Sequence, residues 1–332
     1  MLLKKLYDPV LEQEWHPVYI ASQLQEKPAS VTLLGERVAI FRTSDNKAHA
    51  FRDLCIHRGA MLSEGWVEGD ALVCPYHGWA YGADGKCVCI PAQGKDDKIP
   101  DRARAQVYAC TEQYGFIWVC LGEPRGPLPQ LDEFDNPAYR PLACGPYKVN
   151  AAATRIIENF TDFAHLMYVH GGLLGHPDYA ESPDFTVHRE PGRIFTGDVP
   201  IFQPVAHSGS EMKDGTTYVY VKEVFRPLSA RLSKRDAATG QTLWILLSVL
   251  PVSDTESLAF MSVSRNYGFD VPDEQFIAFQ NEVFAQDAWI IETQKPELLP
   301  LDLQAELNHK ADRLSVAYRR WLIELGVKVG TV

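Results

Sequence analysis

Two cysteine–histidine pairs constrain this chain more than any other feature. The letters CIH occupy residues 55–57, and CPYH occupies residues 74–77. Each segment supplies one thiolate and one imidazole, whereas the usual Cys2His2 zinc finger takes both cysteines from one loop and both histidines from one helix. The interleaved pattern suits a Rieske [2Fe-2S] cluster, in which two thiolates hold one iron and two imidazoles hold the other. The predicted cluster ligands are Cys55 and Cys74 on one iron and His57 and His77 on the other.

Glycine and proline beside these ligands favour two tight loops. Gly59 follows the first pair, Pro75 lies inside the second and Gly78 follows it, so the backbone can turn sharply and direct amides at sulfur. The alternative is two buried cysteines and two surface histidines without a metal. The segments CIHRG and CPYHGWAY resemble the cluster-binding signature of Rieske proteins, in particular of Rieske non-heme iron oxygenases.

A second group of polar residues lies in an apolar segment that predicts a helix over residues 155–172, ending at a glycine pair. Asp162 and His165 share one helical face. His170 is five residues further on, about 140° around an ideal helix, so the imidazoles converge only if the helix breaks near Val169. Such a pair needs one carboxylate to form the 2-His-1-carboxylate set of non-heme Fe(II).

Two carboxylates are candidates for that third ligand. Asp162 is adjacent but could have another role. Asp287 lies in a predicted helix over residues 273–294 whose other face is apolar, and a carboxylate in such a segment needs a partner such as iron. Without a family resemblance, the two histidines could equally be satisfied polar residues at a helix end.

The resemblance extends to both segments. ENFTDFAHLMYVH is similar to the iron-binding helix of Rieske oxygenases, and VFAQDAWIIETQ is similar to the segment that supplies their third ligand. It implies that His165, His170 and Asp287 bind the mononuclear iron and that Asp162 bridges the two metal sites. Gln286 departs from the family, where an acidic residue often precedes the ligand.

The resemblance also implies a head-to-tail trimer, because the family passes electrons from the cluster of one subunit to the iron of the next. His77 of one chain would then meet Asp162 of its neighbour. A ring formed by one repeated heterologous contact is physically ordinary. We expect a homotrimer, or a heterotrimer with a related subunit.

The predicted fold class is α+β, a small all-β Rieske domain followed by a larger catalytic domain whose antiparallel sheet is flanked by helices. The prolines and glycines of residues 122–129 favour a boundary there. The predicted divisions are an N-terminal lead-in over 1–30, the Rieske domain over 31–125, a linker over 126–145 and the catalytic domain over 146–332.

Net charge and segment composition narrow the partners. The formal charge of −11 and the absence of a dense lysine or arginine cluster make nucleic acid and anionic membranes poor partners. No apolar run approaches the length of a membrane span, and acidic residues interrupt the N-terminal segment where a signal core would lie. We expect a cytoplasmic protein with reduced cysteines.

The implied reaction is activation of O2 beside a small substrate, with electrons from NAD(P)H arriving through a separate reductase or ferredoxin. WHPV, ENFTDFAH, VFAQD and VAYRRWL are similar to segments of the methylxanthine N-demethylases, within a monooxygenase branch that includes vanillate and dicamba O-demethylases and saxitoxin-type hydroxylases. We therefore expect oxidative N- or O-demethylation of an aromatic or heterocyclic molecule.

Two alternatives remain open, namely hydroxylation of a ring or alkyl carbon without dealkylation, and a Rieske electron carrier with a ligand-binding domain. The carrier leaves the second group of polar residues unexplained. Asn159 is a further candidate catalytic residue beside the iron ligands. The candidate substrate-pocket residues are Val169, Leu173, Trp244, Asn281 and Phe284.

Overall fold

The computed structural model describes residues 5–94, 97–203 and 215–332. The chain divides into two compact units, Met1–Leu128 and Pro129–Val332. The division falls inside the predicted linker. No helix in the described ranges has both the length and the apolar character that crossing a membrane requires.

The first unit contains ten described strands in two antiparallel sheets. Its strands are β1 (His16–Ile20), β2 (Ala29–Leu33), β3 (Glu36–Arg42), β4 (Ala48–Arg52), β5 (Trp66–Glu68), β6 (Ala71–Val73), β7 (Ala80–Gly82), β8 (Cys87–Cys89), β9 (Val107–Gln113) and β10 (Phe116–Cys120). The larger sheet has the order β1-β10-β9-β4-β3-β2, and the smaller has the order β5-β6-β7-β8. This is the all-β unit that the sequence predicts.

The N-terminal segment, predicted as a lead-in that packs on the body, contributes a strand to the larger sheet of the first unit. Strand β1 pairs antiparallel with β10, which is buried along its whole length, and β2 forms the opposite edge of the same sheet. The apolar residues of β1 therefore cover the core of the first unit as part of a strand. Their pairing partner lies about a hundred residues further along the chain, which local periodicity does not reveal.

The second unit is built on an eight-stranded antiparallel sheet. Its strands are β11 (Arg140–Val149), β12 (Val187–Glu190), β13 (Arg193–Thr196), β14 (Val199–Gln203), β15 (Thr216–Arg226), β16 (Ser229–Asp236), β17 (Thr242–Pro251) and β18 (Ser257–Arg265). The strand order is β11-β18-β17-β16-β15-β13-β12, and β14 also pairs with β15. Strand β11 begins at Arg140, so the last residues of the predicted linker already belong to the sheet.

Four described α-helices accompany this sheet, namely α1 (Asp132–Asp135), α2 (Ala153–Thr161), α3 (Asp273–Ile291) and α4 (Arg313–Leu325). Helix α2 contacts β15, β16 and β17 and also contacts α3 and α4. An antiparallel sheet that packs against helices confirms the predicted α+β class. The contact between α2 and α3 brings the helix that precedes the second site next to the helix that carries Asp287.

Buried ion pairs hold α2 against α4. Arg319 Nη2 donates to Glu158 Oε2 at 2.9 Å, and Arg155 Nη2 donates to Glu306 Oε1 at 2.8 Å. The two arginine side chains are 2–4% exposed. Removing one member of such a network leaves an uncompensated buried charge, so the network fixes the helix that precedes the second site.

Candidate metal centres and substrate cavity

The two predicted cluster loops have the same backbone geometry. The first follows β4, and the second joins β6 to β7. In each, the amide of a glycine donates to the carbonyl of the cysteine four residues earlier, Gly59 to Cys55 at 2.8 Å and Gly78 to Cys74 at 3.0 Å. Both glycines have positive φ angles, 73° and 69°, in the region that glycine alone adopts without strain. The loops are thus two copies of one ligand-presenting turn.

The structure brings the four predicted cluster ligands together. Cys55 and Cys74 are each 1% exposed, and the ring centroids of His57 and His77 lie 4.6 Å apart. His57 stacks on Trp79 at 4.6 Å with an interplanar angle of 7°. The thiols point inward and the imidazoles lie further out, and His77 is exposed.

Two atoms at this site are better suited to binding a metal than to burial without one. Burial raises the pKa of the Cys74 thiol, and His57 Nδ1 is buried without a hydrogen bond. A metal that displaces the thiol proton and accepts the nitrogen lone pair satisfies both. The Tyr81 hydroxyl lies 3.1 Å from Cys55 Sγ. These residues fit a [2Fe-2S] cluster with a hydrogen-bonded sulfur ligand.

The second site begins where α2 ends, eight residues before the break that the sequence predicts. The helix stops at Thr161, Asp162 has extended angles of φ −78° and ψ 144°, and a 3-10 turn follows over Ala164–Met167. The side chain of Asp162 causes the early stop, because its carboxylate oxygens accept from the backbone amides of Ala164 at 3.2 Å and His165 at 2.8 Å. This geometry competes with continuation of a helix.

The same carboxylate orients the first imidazole. Asp162 Oδ2 lies 2.8 Å from His165 Nδ1, which places the proton on Nδ1 and leaves Nε2 free to bind a metal. Burial raises the pKa of Asp162, but the hydrogen bonds from the His165 side chain and backbone amide outweigh it and lower the pKa to about 2. Asp162 is therefore a carboxylate at neutral pH.

Gln286 orients the second imidazole. His170 is 1% exposed, and its Nδ1 lies 2.7 Å from Gln286 Oε1. An amide oxygen can only accept, so it requires the proton on Nδ1 and leaves Nε2 free. The residue that departs from the family pattern thus contacts a predicted ligand without being one.

The third predicted ligand faces both imidazoles. Asp287 Oδ1 lies 3.0 Å from His170 Nε2 and 3.5 Å from His165 Nε2. One ligand atom from each residue lies within 4.8 Å of the others, and Asp287 Oδ1 is buried without a hydrogen bond. Three converging donors, one an orphaned buried oxygen, fit the 2-His-1-carboxylate site of non-heme iron.

A cavity opens beside these three side chains. Its volume is about 70 Å³, several times what a single water needs, so it is a binding space rather than a packing defect. Its lining is mainly apolar, as in most small-molecule sites. The polar lining residues include Asn159, Lys222, Lys234 and Gln280.

Some of the predicted site residues line this cavity and others lie outside it. Phe284 and Asn159 line the cavity, whereas Val169, Leu173, Trp244 and Asn281 do not. Trp244 lies between Leu243 and Ile245, which both face the cavity, so alternation along β17 turns its ring to the other side of the sheet.

The other three predicted pocket residues lie outside the cavity for similar geometric reasons. Val169 lines a separate surface cleft beside Asp162, and Leu174 lines the cavity instead of Leu173. Asn281 accepts a hydrogen bond from Tyr147 at 2.7 Å, away from the cavity.

Two buried lysines line the cavity but are not among the site residues predicted from the sequence. Lys222 is 2% exposed and Lys234 is 3% exposed. The sequence contained part of the evidence for Lys222, because alternation along β15 places it on the same buried face as Tyr218 and Tyr220. A charged residue on the apolar face of a strand is unusual enough to mark a site.

Lys222 connects the cavity to the bridge residue. Its Nζ donates to the backbone carbonyl of Asp162 at 2.5 Å and lies 4.3 Å from the ring centroid of Phe163. Burial lowers the pKa of Lys222 to about 8, although the nearby carboxylates oppose the shift. The amine therefore supports the extended residue that follows α2.

Comparison with known proteins covers both units. Residues 14–111 match the Rieske [2Fe-2S] domain, and residues 149–327 match the Vanillate O-demethylase oxygenase C-terminal domain. The chain is 34% identical to methylxanthine N1-demethylase NdmA of Pseudomonas putida over 95% of its own length and 89% of that protein's. For methylxanthine N3-demethylase NdmB of the same species, the identity is 33%, with 98% and 94% covered.

The solved structure of NdmA with caffeine, from Pseudomonas putida CBB5, superimposes with a TM-score of 0.80 and 31% identity, covering 95% of this chain and 91% of that one. The likeness spans both units, so the predicted family is confirmed. The chain belongs to the Rieske non-heme iron oxygenases, enzymes that carry a [2Fe-2S] cluster and a mononuclear iron and draw electrons from a separate reductase.

Proposed function

We propose that this chain removes a methyl group from a nitrogen or oxygen of a small aromatic or heterocyclic molecule. Relatives named as N- and O-demethylases support the proposal, and the largely apolar cavity beside the His165, His170 and Asp287 side chains carries it. A methyl group that is bonded to a heteroatom and held in this cavity lies next to the three ligands.

The reaction balances with the reductant that the family uses. One O2, two electrons and two protons convert the methyl group to a hydroxymethyl group and water, and the hydroxymethyl compound then releases formaldehyde and the free N–H or O–H. When bound, the cluster supplies single-electron transfer and the mononuclear iron supplies O2 activation.

The chain's own residues have distinct tasks in this proposal. Cys55, Cys74, His57 and His77 hold the cluster, and His165, His170 and Asp287 hold the mononuclear iron. Asp162 fixes the His165 tautomer by accepting from Nδ1, Gln286 does the same for His170, and Asn159 meets the substrate. The apolar lining excludes water from the reacting group.

Formaldehyde is the product that distinguishes demethylation from hydroxylation. The reconstituted holoenzyme, a reductase and a panel of N-methyl and O-methyl aromatics should yield formaldehyde in equal amount to the demethylated product. A hydroxylated product without formaldehyde from every good substrate would favour the alternative reaction.

Iron content separates an oxygenase from an electron carrier. We expect three irons per chain in the holoenzyme and two in a His165→Ala variant that keeps the optical spectrum of the cluster. Two irons in both proteins would contradict the oxygenase assignment of the second site.

Electron transfer between chains is also part of the proposal. Exposure of the His77 ring and the position of Asp162 support contact between neighbouring subunits of a trimer. Mixing subunits tests it, since a His77→Ala chain lacks a complete cluster and an Asp162→Asn chain lacks the bridge. If electrons pass between chains, oligomers that contain both variants regain activity. If electrons pass only within a chain, the mixed oligomers stay inactive. Light scattering of the wild-type protein reports whether three copies assemble.

A further inference from the structure

One face of the sheet forms the floor of the cavity. Across the antiparallel ladder, Tyr220 pairs with Lys234, and Lys222 pairs with Leu232. Directly paired residues share a face, and all four line the cavity. Beyond them, the floor continues across β17 and β18 through the apolar residues Leu243, Ile245, Leu247 and Met261. The two amines are therefore the charged groups of an otherwise apolar floor.

The two lysines differ in how their amines are satisfied. Lys222 donates to the carbonyl of Asp162. In the described residues, the Lys234 amine forms neither a hydrogen bond nor a salt bridge, and its Nζ lies 4.3 Å from the ring centroid of Tyr218 and 5.9 Å from that of Tyr220. Lys234 is thus a deeply buried amine whose protein neighbours are aromatic faces.

The nearest carboxylate along the strand is engaged elsewhere. Asp236 Oδ1 accepts from the backbone amides of Ala238 at 2.7 Å and Thr239 at 3.0 Å, so it caps the turn after β16. Its charge favours the protonated amine only through space, and burial dominates, lowering the pKa of Lys234 to about 7. A buried ammonium without a partner is costly, and an apolar residue of similar volume would be more stable here. A bound anion removes that cost.

We propose that Lys234 anchors the substrate by binding a carboxylate, so that this enzyme acts on aromatic acids that bear an N- or O-methyl group. The proposal rests on the function proposed above and names its substrate class. Lys222 marks the side of the floor nearest the iron ligands, because its amine reaches Asp162. Lys234 is its diagonal neighbour, about 7–8 Å away between side-chain origins.

That spacing suits a substrate with a single aromatic ring between its reacting methyl group and its carboxylate. The methyl group lies towards His165, His170 and Asp287, and the carboxylate lies on the Lys234 amine. An ammonium–carboxylate hydrogen bond in an apolar site is stronger than one between neutral groups, so the charge on the substrate decides affinity, and the ring position decides which methyl group reacts.

The test is a binding measurement that does not depend on turnover. Isothermal titration calorimetry of the metal-loaded, oxidised holoenzyme compares 3- and 4-methoxybenzoate with the matching neutral methoxybenzamides and with caffeine. We expect one of the acids to bind about 10- to 100-fold more tightly than its amide. Lys234→Met should remove that preference, and Lys234→Arg should keep part of it.

Controls keep the result interpretable. Lys148→Met removes an exposed lysine of the same unit that pairs with Glu256 at 3.0 Å, and it should leave the preference unchanged. If the Lys234→Met variant does not fold, the Lys234→Gln variant is measured in its place. Equal affinity for acid and amide in the wild type, or an unchanged preference in Lys234→Met, would overturn the proposal.

Product analysis separates this inference from the demethylase assignment. If the enzyme prefers acids through Lys234 but hydroxylates the ring without releasing formaldehyde, Lys234 still anchors the substrate and demethylation is rejected. If neutral methylxanthines release formaldehyde and acids are not preferred, demethylation stands and the anchoring role of Lys234 is rejected.

Discussion

Replacing Lys234 with methionine should stabilise the substrate-free protein at neutral pH while impairing its binding of acids. The side chains have similar length, so the change mainly removes an ionisable group from a buried apolar floor. Because burial lowers the pKa of Lys234 from 10.5 to about 7, the folded state binds the proton less well than the unfolded state. Lysine at this position therefore opposes folding wherever the unfolded chain is protonated.

The expected size follows from the two pKa values. At pH 7 the folded amine is about half protonated and the unfolded amine almost fully, which corresponds to a cost on the order of 4 kcal/mol. Between pH 7 and the ordinary lysine pKa the unfolded state binds more protons, so this cost shrinks as pH rises, by about 1.4 kcal/mol per unit. Stability of the wild type should thus rise with pH relative to the variant.

Urea unfolding of both holoenzymes at pH 7, 8 and 9 measures this difference. We expect Lys234→Met to exceed the wild type most at pH 7 and least at pH 9. Lys222 contributes equally to both proteins and cancels. The exposed-lysine control Lys148→Met should change the free energy of unfolding by less than about 1 kcal/mol at every pH. A variant that is less stable than the wild type at pH 7, or a difference independent of pH, would refute the reasoning.

Substitutions at three further residues test the metal sites. Asp162→Asn should keep all three irons yet lose substrate-coupled oxygen consumption, because it removes charge but no ligand, and loss of the mononuclear iron would instead make Asp162 a ligand. Gln286→Leu should weaken mononuclear iron binding about 10- to 100-fold by freeing the His170 ring. Gln286→Glu, which can still accept that hydrogen bond, is its matched control, and equal iron retention in the two variants would contradict the role. Tyr81→Phe should lower the reduction potential of the cluster by removing the hydroxyl beside Cys55, as protein-film voltammetry would show, and an unchanged potential would count against the contact.

The cluster loops are the part of the site that sequence predicts best. Ligand types, spacing and the glycines after each pair are local properties, and the structure shows the two corresponding turns with positive φ at Gly59 and Gly78. Tyr81 is different, because its contact with Cys55 joins residues 26 positions apart. No local pattern specifies it.

The iron-binding segment shows where local reasoning fails. Helical periodicity extends the helix to residue 172, but the carboxylate of Asp162 satisfies backbone amides and ends it at Thr161. The prediction that His165 and His170 require a break is sound, and the position is wrong because a side chain competes with the helix for the same amides.

The sequence by itself determined the kinds of metal centre, the residues that offer ligands and the α+β class, because these follow from side-chain chemistry and short-range pattern. The tertiary structure decided which atoms converge and which residues face the cavity. Trp244 and Lys234 illustrate the difference. Sheet register turns the tryptophan away and brings the lysine to the cavity, and register depends on pairing between strands rather than on either strand alone.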